Sequence, residues 1–417
     1  MAEKELYAIG EIPPLGFVPK KMHAYVIRPE HHGPPLQSMK PEVVDLPEIG
    51  PDEILVQVVT AGVNYNGVWA ALGKPASPTR FHKHPFHIAG SDAAGVIWKL
   101  GSAVRSAVYP WKVGDEVVVH CGQTCGYCAQ CNGGDPMLCR EQKIWGYETP
   151  YGSFAQFTKA QVQQVLPKPA HLTWEEAGCY TLVLATAWRM LYGHPPHTLQ
   201  PGMNVLVWGG SGGLGSMAIQ IVCAAGANAI AVVSSDERGQ WCLKLGAKAY
   251  VNRKKFQCWG QLPPVSNVEA YGAYLKEVRK FGQAIWETTG KGVDPDIVFE
   301  HPGEQTFPVS CFVAARSGMV VFCAGTTGFN LSFDASYVWM RQKRIQGSHF
   351  ATMYQAEAAN KAVIAGTINP AMSDVFEWER IPEAHDRMMN NVHPPGNMAL
   401  LVQAPRRGLK NLADISS

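Results

Sequence analysis

Four cysteines, Cys125, Cys128, Cys131 and Cys139, follow the spacing C-x2-C-x2-C-x7-C within a glycine-rich stretch. Thiolates gathered by so short a loop can close a tetrahedral shell around Zn²⁺. A shell built only of protein ligands leaves no place for substrate, so this spacing points to a structural metal. Cys121 is a spare fifth thiol, and Cys179, Cys223, Cys242, Cys258, Cys311 and Cys323 lie among apolar residues, where cysteine acts as a small hydrophobe. The total of eleven is odd, and five fall between Cys121 and Cys139, which does not describe a secreted disulfide framework.

A second pattern, Gly210-Ser211-Gly212-Gly213-Leu214-Gly215, reads G-x-G-x-x-G directly after the apolar run Asn204 to Trp208 and at the start of an apolar helix. In that setting the glycines serve a tight turn, a close backbone approach to a pyrophosphate and a helix seated near its strand. The helix N-terminus adds N–H donors and the positive end of its dipole. The motif marks a dinucleotide site. About twenty residues on, where an acid would take the ribose hydroxyls, the chain has Ser234-Ser235 with Arg238 just beyond, which favours a 2′-phosphate and hence NADP. Asp236 keeps the ribose reading open if the strand ends later than the pattern suggests.

Two frameworks must position these motifs. About the first 110 residues read as β-rich, because short runs such as Ile54 to Thr60 and Ala93 to Val96 are separated by Gly and Pro at intervals typical of an all-β body. From about Trp174 the pattern changes: Thr173 is a candidate N-cap with Glu176 as its capping-box partner, opening a helix over Glu175 to Leu191. Val205 to Trp208, Ile219 to Ala225, Ala229 to Val233, Arg238 to Leu245, Ile297 to Glu300 and Met319 to Ala324 then alternate strand and helix, the mark of a doubly wound parallel sheet. A helix over Tyr354 to Ala365 and a terminal strand, Ala399 to Gln403, are expected to pack back on the first domain.

The chain has 417 residues, enough for two or three domains with full cores. Charged residues are only 17 % against 46 % hydrophobic, so intrinsic disorder is excluded. Lys+Arg 36 against Asp+Glu 34 leaves +2, scattered along the chain, with no basic footprint for nucleic acid or a membrane surface. An anionic ligand must be met locally. The N-terminus lacks a basic segment followed by an apolar one, and no apolar run reaches the length of a membrane span, so a cytoplasmic location is expected.

Taken together, the zinc-loop spacing, the β-rich first domain and the later dinucleotide fold resemble the medium-chain dehydrogenase/reductase superfamily over essentially the whole chain. The resemblance implies an α/β protein: a GroES-like β-rich catalytic domain over 1–177 and 348–417, and a Rossmann doubly wound parallel sheet over 178–347. In the superfamily's alcohol dehydrogenases, catalytic-zinc ligands stand at places held here by Asn66, Ser91 and Asp92, so that activity is disfavoured. More specific strings are Gly62-Val63-Asn64-Tyr65-Asn66, Ile144-Trp145-Gly146-Tyr147-Glu148-Thr149, Phe299-Glu300-His301-Pro302-Gly303 and Lys343-Arg344-Ile345-Gln346-Gly347-Ser348-His349-Phe350-Ala351. These resemble the crotonyl-CoA carboxylase/reductase family.

That resemblance implies NADPH-dependent reductive carboxylation of crotonyl-CoA or a similar short enoyl-CoA with CO2 to ethylmalonyl-CoA, by a homotetramer. Its CO2-binding residues match Asn66, Tyr147, Glu148 and His349. CO2 carries no charge and no dipole, so it must be held by donors aimed at its oxygens. The Asn66 amide, a backbone N–H near Glu148, and His349 directly or through a water fixed by Glu148 are the expected donors. His301 and Cys323, at strand ends, are expected on the nicotinamide side, and Arg341, Lys343 and Arg344 form a basic cluster for the CoA phosphates. Two other readings use the same cofactor site: enoyl-CoA or quinone reduction with a proton in place of CO2, and a non-enzymatic NADPH-binding protein like the superfamily's lens crystallins.

Overall fold

A computed structural model of the chain describes residues 3–105 and 107–416. It divides into two compact units, a larger one of Met1–Ala185 with Phe350–Ser417 and a smaller one of Thr186–His349. The crossings lie eight and two residues beyond those expected from sequence, at 185/186 against 177/178 and at 349/350 against 347/348. The return crossing comes after His349 because the edge strand Arg344–Gly347 is prolonged: Ser348 N–H donates to Phe322 O (2.9 Å), and the Ser348 hydroxyl meets His194 Nε2 (3.0 Å). His349 therefore ends the smaller unit.

The larger unit is built on the strand Glu53–Gly62, which is buried along nearly its whole length. It pairs antiparallel with Ala93–Leu100, Phe157–Gln161 and Asn397–Leu401, so the C-terminal strand does return to the first domain. Register shifts at Leu55/Val56 and Val58/Thr60 bend the sheet, as bulges do. The expected single helix over 175–191 is instead two, Trp174–Ala177 and Thr181–Tyr192. The capping box is as expected, with Thr173 Oγ1 accepting from Glu176 N–H, but the chain breaks at Gly178. A Cβ there would stand 2.4 Å from Thr60 Oγ1.

The smaller unit is a six-stranded, all-parallel sheet in the order Ala249–Asn252, Asn228–Val233, Asn204–Trp208, Ile297–Glu300, Met319–Phe322, Arg344–Gly347. Strand order reverses beside Asn204–Trp208, and at such a switch point ligands meet the strand C-termini. The 22-residue helix Val268–Thr289, unread in the sequence, buries Tyr274, Val278, Phe281 and Ile285 against this sheet.

The two units carry different buried ionisable groups. In the larger, burial pushes His87 down to about 3 and His120 and His385 to about 4, while it pushes Asp92 up to about 6. As pH falls below about 6, the unfolded chain binds protons at the three histidines that the native unit refuses, so stability is lost. Asp92 acts in the opposite sense, because its native form holds a proton that the unfolded chain releases. His82, half-buried in the same unit, is likewise pushed down to about 4 and adds to the loss, so the balance is about two to three protons, on the order of 3 to 4 kcal/mol lost per pH unit between about pH 6 and 5. In the smaller unit His301 (about 4) and Glu300 (about 7) oppose each other. Hydrogen exchange at pH 7 and 5, corrected for intrinsic rates, should show the strands of the larger unit losing protection first; earlier opening of the smaller unit's strands would contradict this.

Candidate active site

The glycine loop is packed at closest approach. Gly209, at φ +55, faces the His301 ring, and a Cβ on it would lie 2.6 Å from His301 Nε2. A Cβ on Gly210 would meet Ala231 Cβ at 2.8 Å, and one on Gly215 would meet Gly209 O at 2.4 Å. Gly212 N–H closes the turn on Gly209 O (2.9 Å). The helix Gly213–Ala224 follows with no side-chain cap, leaving the first-turn N–H groups of Gly213, Leu214 and Gly215 to a ligand.

The Ser235 hydroxyl caps the next helix by accepting from Arg238 N–H (3.3 Å), and Arg238 reaches back to donate from Nη1 to Ser211 Oγ (3.2 Å). Ser211, Ser235 and Arg238 thus meet beside Ser234 at the end of Asn228–Val233. Asp236 is turned toward the neighbouring strand, where its Oδ1 accepts from Asn252 Nδ2 (3.2 Å) and stands 3.9 Å from Lys255 Nζ. This arrangement favours the 2′-phosphate over the free ribose.

His301 is neutral by burial, so its Nε2–H donates to Trp208 O (3.0 Å) and braces the strand end beneath the loop. Beside it, Glu300 accepts from Thr306 Oγ1 (2.7 Å), Gly303 N–H (3.1 Å) and Ser310 Oγ, which in turn accepts from Trp208 Nε1 (2.8 Å). The Cys323 thiol sits at the next strand end, pushed up to about 12 by burial and by Glu300.

The expected basic cluster is largely engaged within its own unit. Lys343 is buried, and its Nζ donates to Cys311 O (2.8 Å) and Phe312 O (2.9 Å) at the end of the helix Phe307–Val313, so this cation is not available to a phosphate. Arg344 donates to His194 O and Pro195 O and pairs with Gln346, while the Arg341 guanidinium lies 4.4 Å from the Tyr337 ring centroid.

In the larger unit, three of the four expected CO2-site residues share one neighbourhood. Gly146, at φ +74, touches Gly90: a Cβ would fall 1.9 Å from Gly90 O and 3.2 Å from Ser91 N. That contact lays the 144–149 turn on Ser91, whose hydroxyl accepts from Asn66 Nδ2 (3.4 Å). Asn66 is the second residue of the helix Tyr65–Leu72 and is buried. Glu148 folds back so that its Oε2 accepts from Ile144 N–H (2.8 Å); burial raises its carboxyl above the ordinary range, offset in part by that bond and by Lys143.

The expected backbone donor beside Glu148 is already committed, because Glu148 N–H donates to Ile144 O (2.7 Å) and Tyr147 N–H shares the same oxygen (3.2 Å). The Tyr147 hydroxyl holds Ala76 O (3.0 Å) and Lys74 O (3.3 Å). His349, at the end of the smaller unit, has an exposed side chain, and partial desolvation and the Arg189 charge keep it below its usual pKa, which favours the neutral ring. Ser91 and Gly90 are the partners that sequence reasoning missed; two glycines at positive φ, 56 residues apart, become a signal only once they are seen to touch.

The four cysteines do converge. Their Sγ atoms lie within 4.8 Å of one another, with Cys125 to Cys131 at 3.8 Å and Cys128 to Cys131 at 3.6 Å. Ligands about 2.3 Å from a tetrahedral Zn²⁺ stand roughly 3.8 Å apart, so the set fits that ion. Cys125 Sγ also accepts from Cys128 N–H (3.4 Å), and Asp135 fixes the turn before Cys139 by accepting from Met137 N–H (3.0 Å). One zinc per chain is expected, and Cys128→Ser should lose it and expose the 124–141 loop to protease while the dinucleotide site still binds. A metal-free chain with the loop fully protected would contradict this.

Two family models cover these units: an alcohol dehydrogenase GroES-like domain matches residues 50–170, and a zinc-binding dehydrogenase domain matches 213–364. Fold, glycine loop and four-cysteine loop together define a medium-chain dehydrogenase/reductase, an oxidoreductase. A crotonyl-CoA carboxylase/reductase of Cereibacter sphaeroides is 61 % identical over 413 residues, covering 99 % of this chain and 95 % of the relative. A solved crotonyl-CoA carboxylase/reductase structure superposes with a TM-score of 0.95 at 61 % identity, covering 99 % of this chain and 95 % of that one. The 2-octenoyl-CoA carboxylase reductase CinF, solved with NADP and 2-octenoyl-CoA, gives 0.86 at 36 % identity, covering 94 % and 90 %. The chain belongs to the crotonyl-CoA carboxylase/reductase family.

Proposed function

We propose that this chain catalyses the NADPH-dependent reductive carboxylation of crotonyl-CoA to ethylmalonyl-CoA. The observation that carries the reading is the convergence of Asn66 and the Glu148 turn on Ser91, within a chain 61 % identical to a crotonyl-CoA carboxylase/reductase. The glycine loop would hold NADPH, with Ser211, Ser234, Ser235 and Arg238 as the residues for its 2′-phosphate, and the coenzyme would supply hydride chemistry at the β-carbon of an enoyl thioester. The C=C electron pair then moves to the thioester oxygen as an enolate. Its α-carbon bonds to CO2, and one C=O pair of CO2 becomes the carboxylate.

The chain's own residues decide what the enolate meets. Among the described residues the Asn66 amide has only a long bond to Ser91 and can re-aim its N–H at a CO2 oxygen, where negative charge grows as the bond forms. Neutral His349 offers one N–H donor. Glu148, held against Ile144, orients the turn, and Tyr147 walls the site with its hydroxyl directed at Lys74 and Ala76. Excluding other proton sources then favours carbon–carbon bond formation over protonation. Arg341 remains the candidate of the basic cluster for a CoA phosphate.

The same reading gives a cytoplasmic enzyme; among the described residues no helix is long and apolar enough to cross a membrane. It assembles as a homotetramer, with the edge strand Arg344–Gly347 offering unpaired backbone groups to a second copy. NADPH oxidation with crotonyl-CoA, with and without bicarbonate and carbonic anhydrase, tests the function. Ethylmalonyl-CoA as the product when CO2 is present, at a rate that falls markedly with NADH in place of NADPH, supports it; butyryl-CoA as the product under saturating CO2 refutes it.

A further inference from the structure

Asp92 is fully buried, and its carboxylate is held by neutral donors: Asn64 Nδ2 (2.8 Å), Leu182 N–H (2.7 Å) and the Thr181 hydroxyl. Burial pushes it up to about 6 despite these donors. Such an arrangement is costly in isolation, so what it orients is informative.

Asn64 stands at the N-cap of the helix Tyr65–Leu72, where asparagine ordinarily accepts from a first-turn N–H, yet it makes no capping bond and gives its amide to Asp92 instead. Gly62 has no room for a side chain, since a Cβ would stand 2.8 Å from Asp92 Cβ. Residues 91 and 92 thus hold the start of one helix by two rungs, Ser91 to Asn66 (3.4 Å) and Asp92 to Asn64 (2.8 Å). The rung to Asn66 is long and neutral. The rung to Asn64 is short, charge-assisted and buried, and it is the stiffer of the two.

We propose that Asp92 is a positioning residue which, through Asn64, fixes the entry of the helix Tyr65–Leu72 and so aims the Asn66 amide, making the Asp92–Asn64 bond a determinant of carboxylation over protonation. The proposal rests on the reading of Asn66 as a CO2 donor. It predicts that loosening the bond leaves hydride transfer in place and lets the amide wander. A misplacement of about 1 Å at a reacting centre is enough for a hundred-fold effect.

The test is Asn64→Ala, with Asn66→Ala in parallel, scored by the ratio of ethylmalonyl-CoA to butyryl-CoA at limiting CO2, by KM for CO2 and for crotonyl-CoA, and by melting temperature. Asn64→Ala should keep NADPH oxidation within about three-fold, lower the product ratio at least ten-fold and raise KM for CO2 but not for crotonyl-CoA. Uniform loss of stability would not produce that split. Should Asn64→Ala fail to fold, the exchanged pair Asn64→Asp with Asp92→Asn restores one carboxylate and one amide across the same gap, and should recover the ratio lost in Asp92→Asn alone. A normal ratio in Asn64→Ala beside a collapsed one in Asn66→Ala overturns the Asp92 role only. A normal ratio in Asn66→Ala overturns the CO2 reading and this proposal with it.

Discussion

Gly146→Ala is expected to remove carboxylation by at least a hundred-fold. The residue sits at φ +74, where a side chain is disfavoured by roughly 1 to 2 kcal/mol. The larger problem is steric, because the new Cβ would lie 1.9 Å from Gly90 O, which is backbone and cannot rotate away. The 144–149 turn must lift off Ser91, carrying Tyr147 and Glu148 with it and separating them from Asn66. A displacement of more than an ångström at a reacting centre costs about two orders of magnitude. The glycine loop, the proposed coenzyme site, belongs to the other unit, so NADPH affinity measured by fluorescence titration should stay within two-fold. Product formation within three-fold of the parent would show that the contact does not position the turn.

Asn66→Asp is expected to divert the enolate rather than stop the enzyme. The change is nearly isosteric but removes both N–H donors and places a negative charge where the new carboxylate must form. Losing one preorganised donor to a developing oxyanion typically costs 10²- to 10³-fold, and repulsion adds to it. Hydride transfer does not use this amide, so NADPH should still be oxidised, with butyryl-CoA replacing ethylmalonyl-CoA in the mass spectrum of the thioesters. An Asp variant that still makes mainly ethylmalonyl-CoA would remove Asn66 from the site.

What the sequence shows of this protein is what depends on short separations. The glycine fingerprint, the capping box at Thr173 and the four cysteines each lie within a few turns of chain, and each is formed in the structure. Signals that need a partner far away were silent or misleading. Lys343 reads as part of an exposed basic cluster, but its ammonium caps carbonyls some thirty residues earlier. The strand Ala249–Asn252 buries only Val251 and carries no apolar run to announce it. The break at Gly178 follows from contact with Thr60, on a strand more than a hundred residues away, and the reach of Arg238 to Ser211 likewise appears only once strand order brings the two together. The identities of Asn66, Tyr147 and Glu148 came from resemblance to a family; their common seat on Gly90 and Ser91 came from the fold.

The most direct test follows the carbon. Purified enzyme is given crotonyl-CoA, NADPH and ¹³C-labelled CO2, and labelled carboxyl in the product is counted against NADPH consumed. One labelled carboxyl per NADPH is expected at saturating CO2, falling toward butyryl-CoA only as CO2 is withdrawn. Full NADPH consumption under saturating CO2 with butyryl-CoA as the product would contradict it.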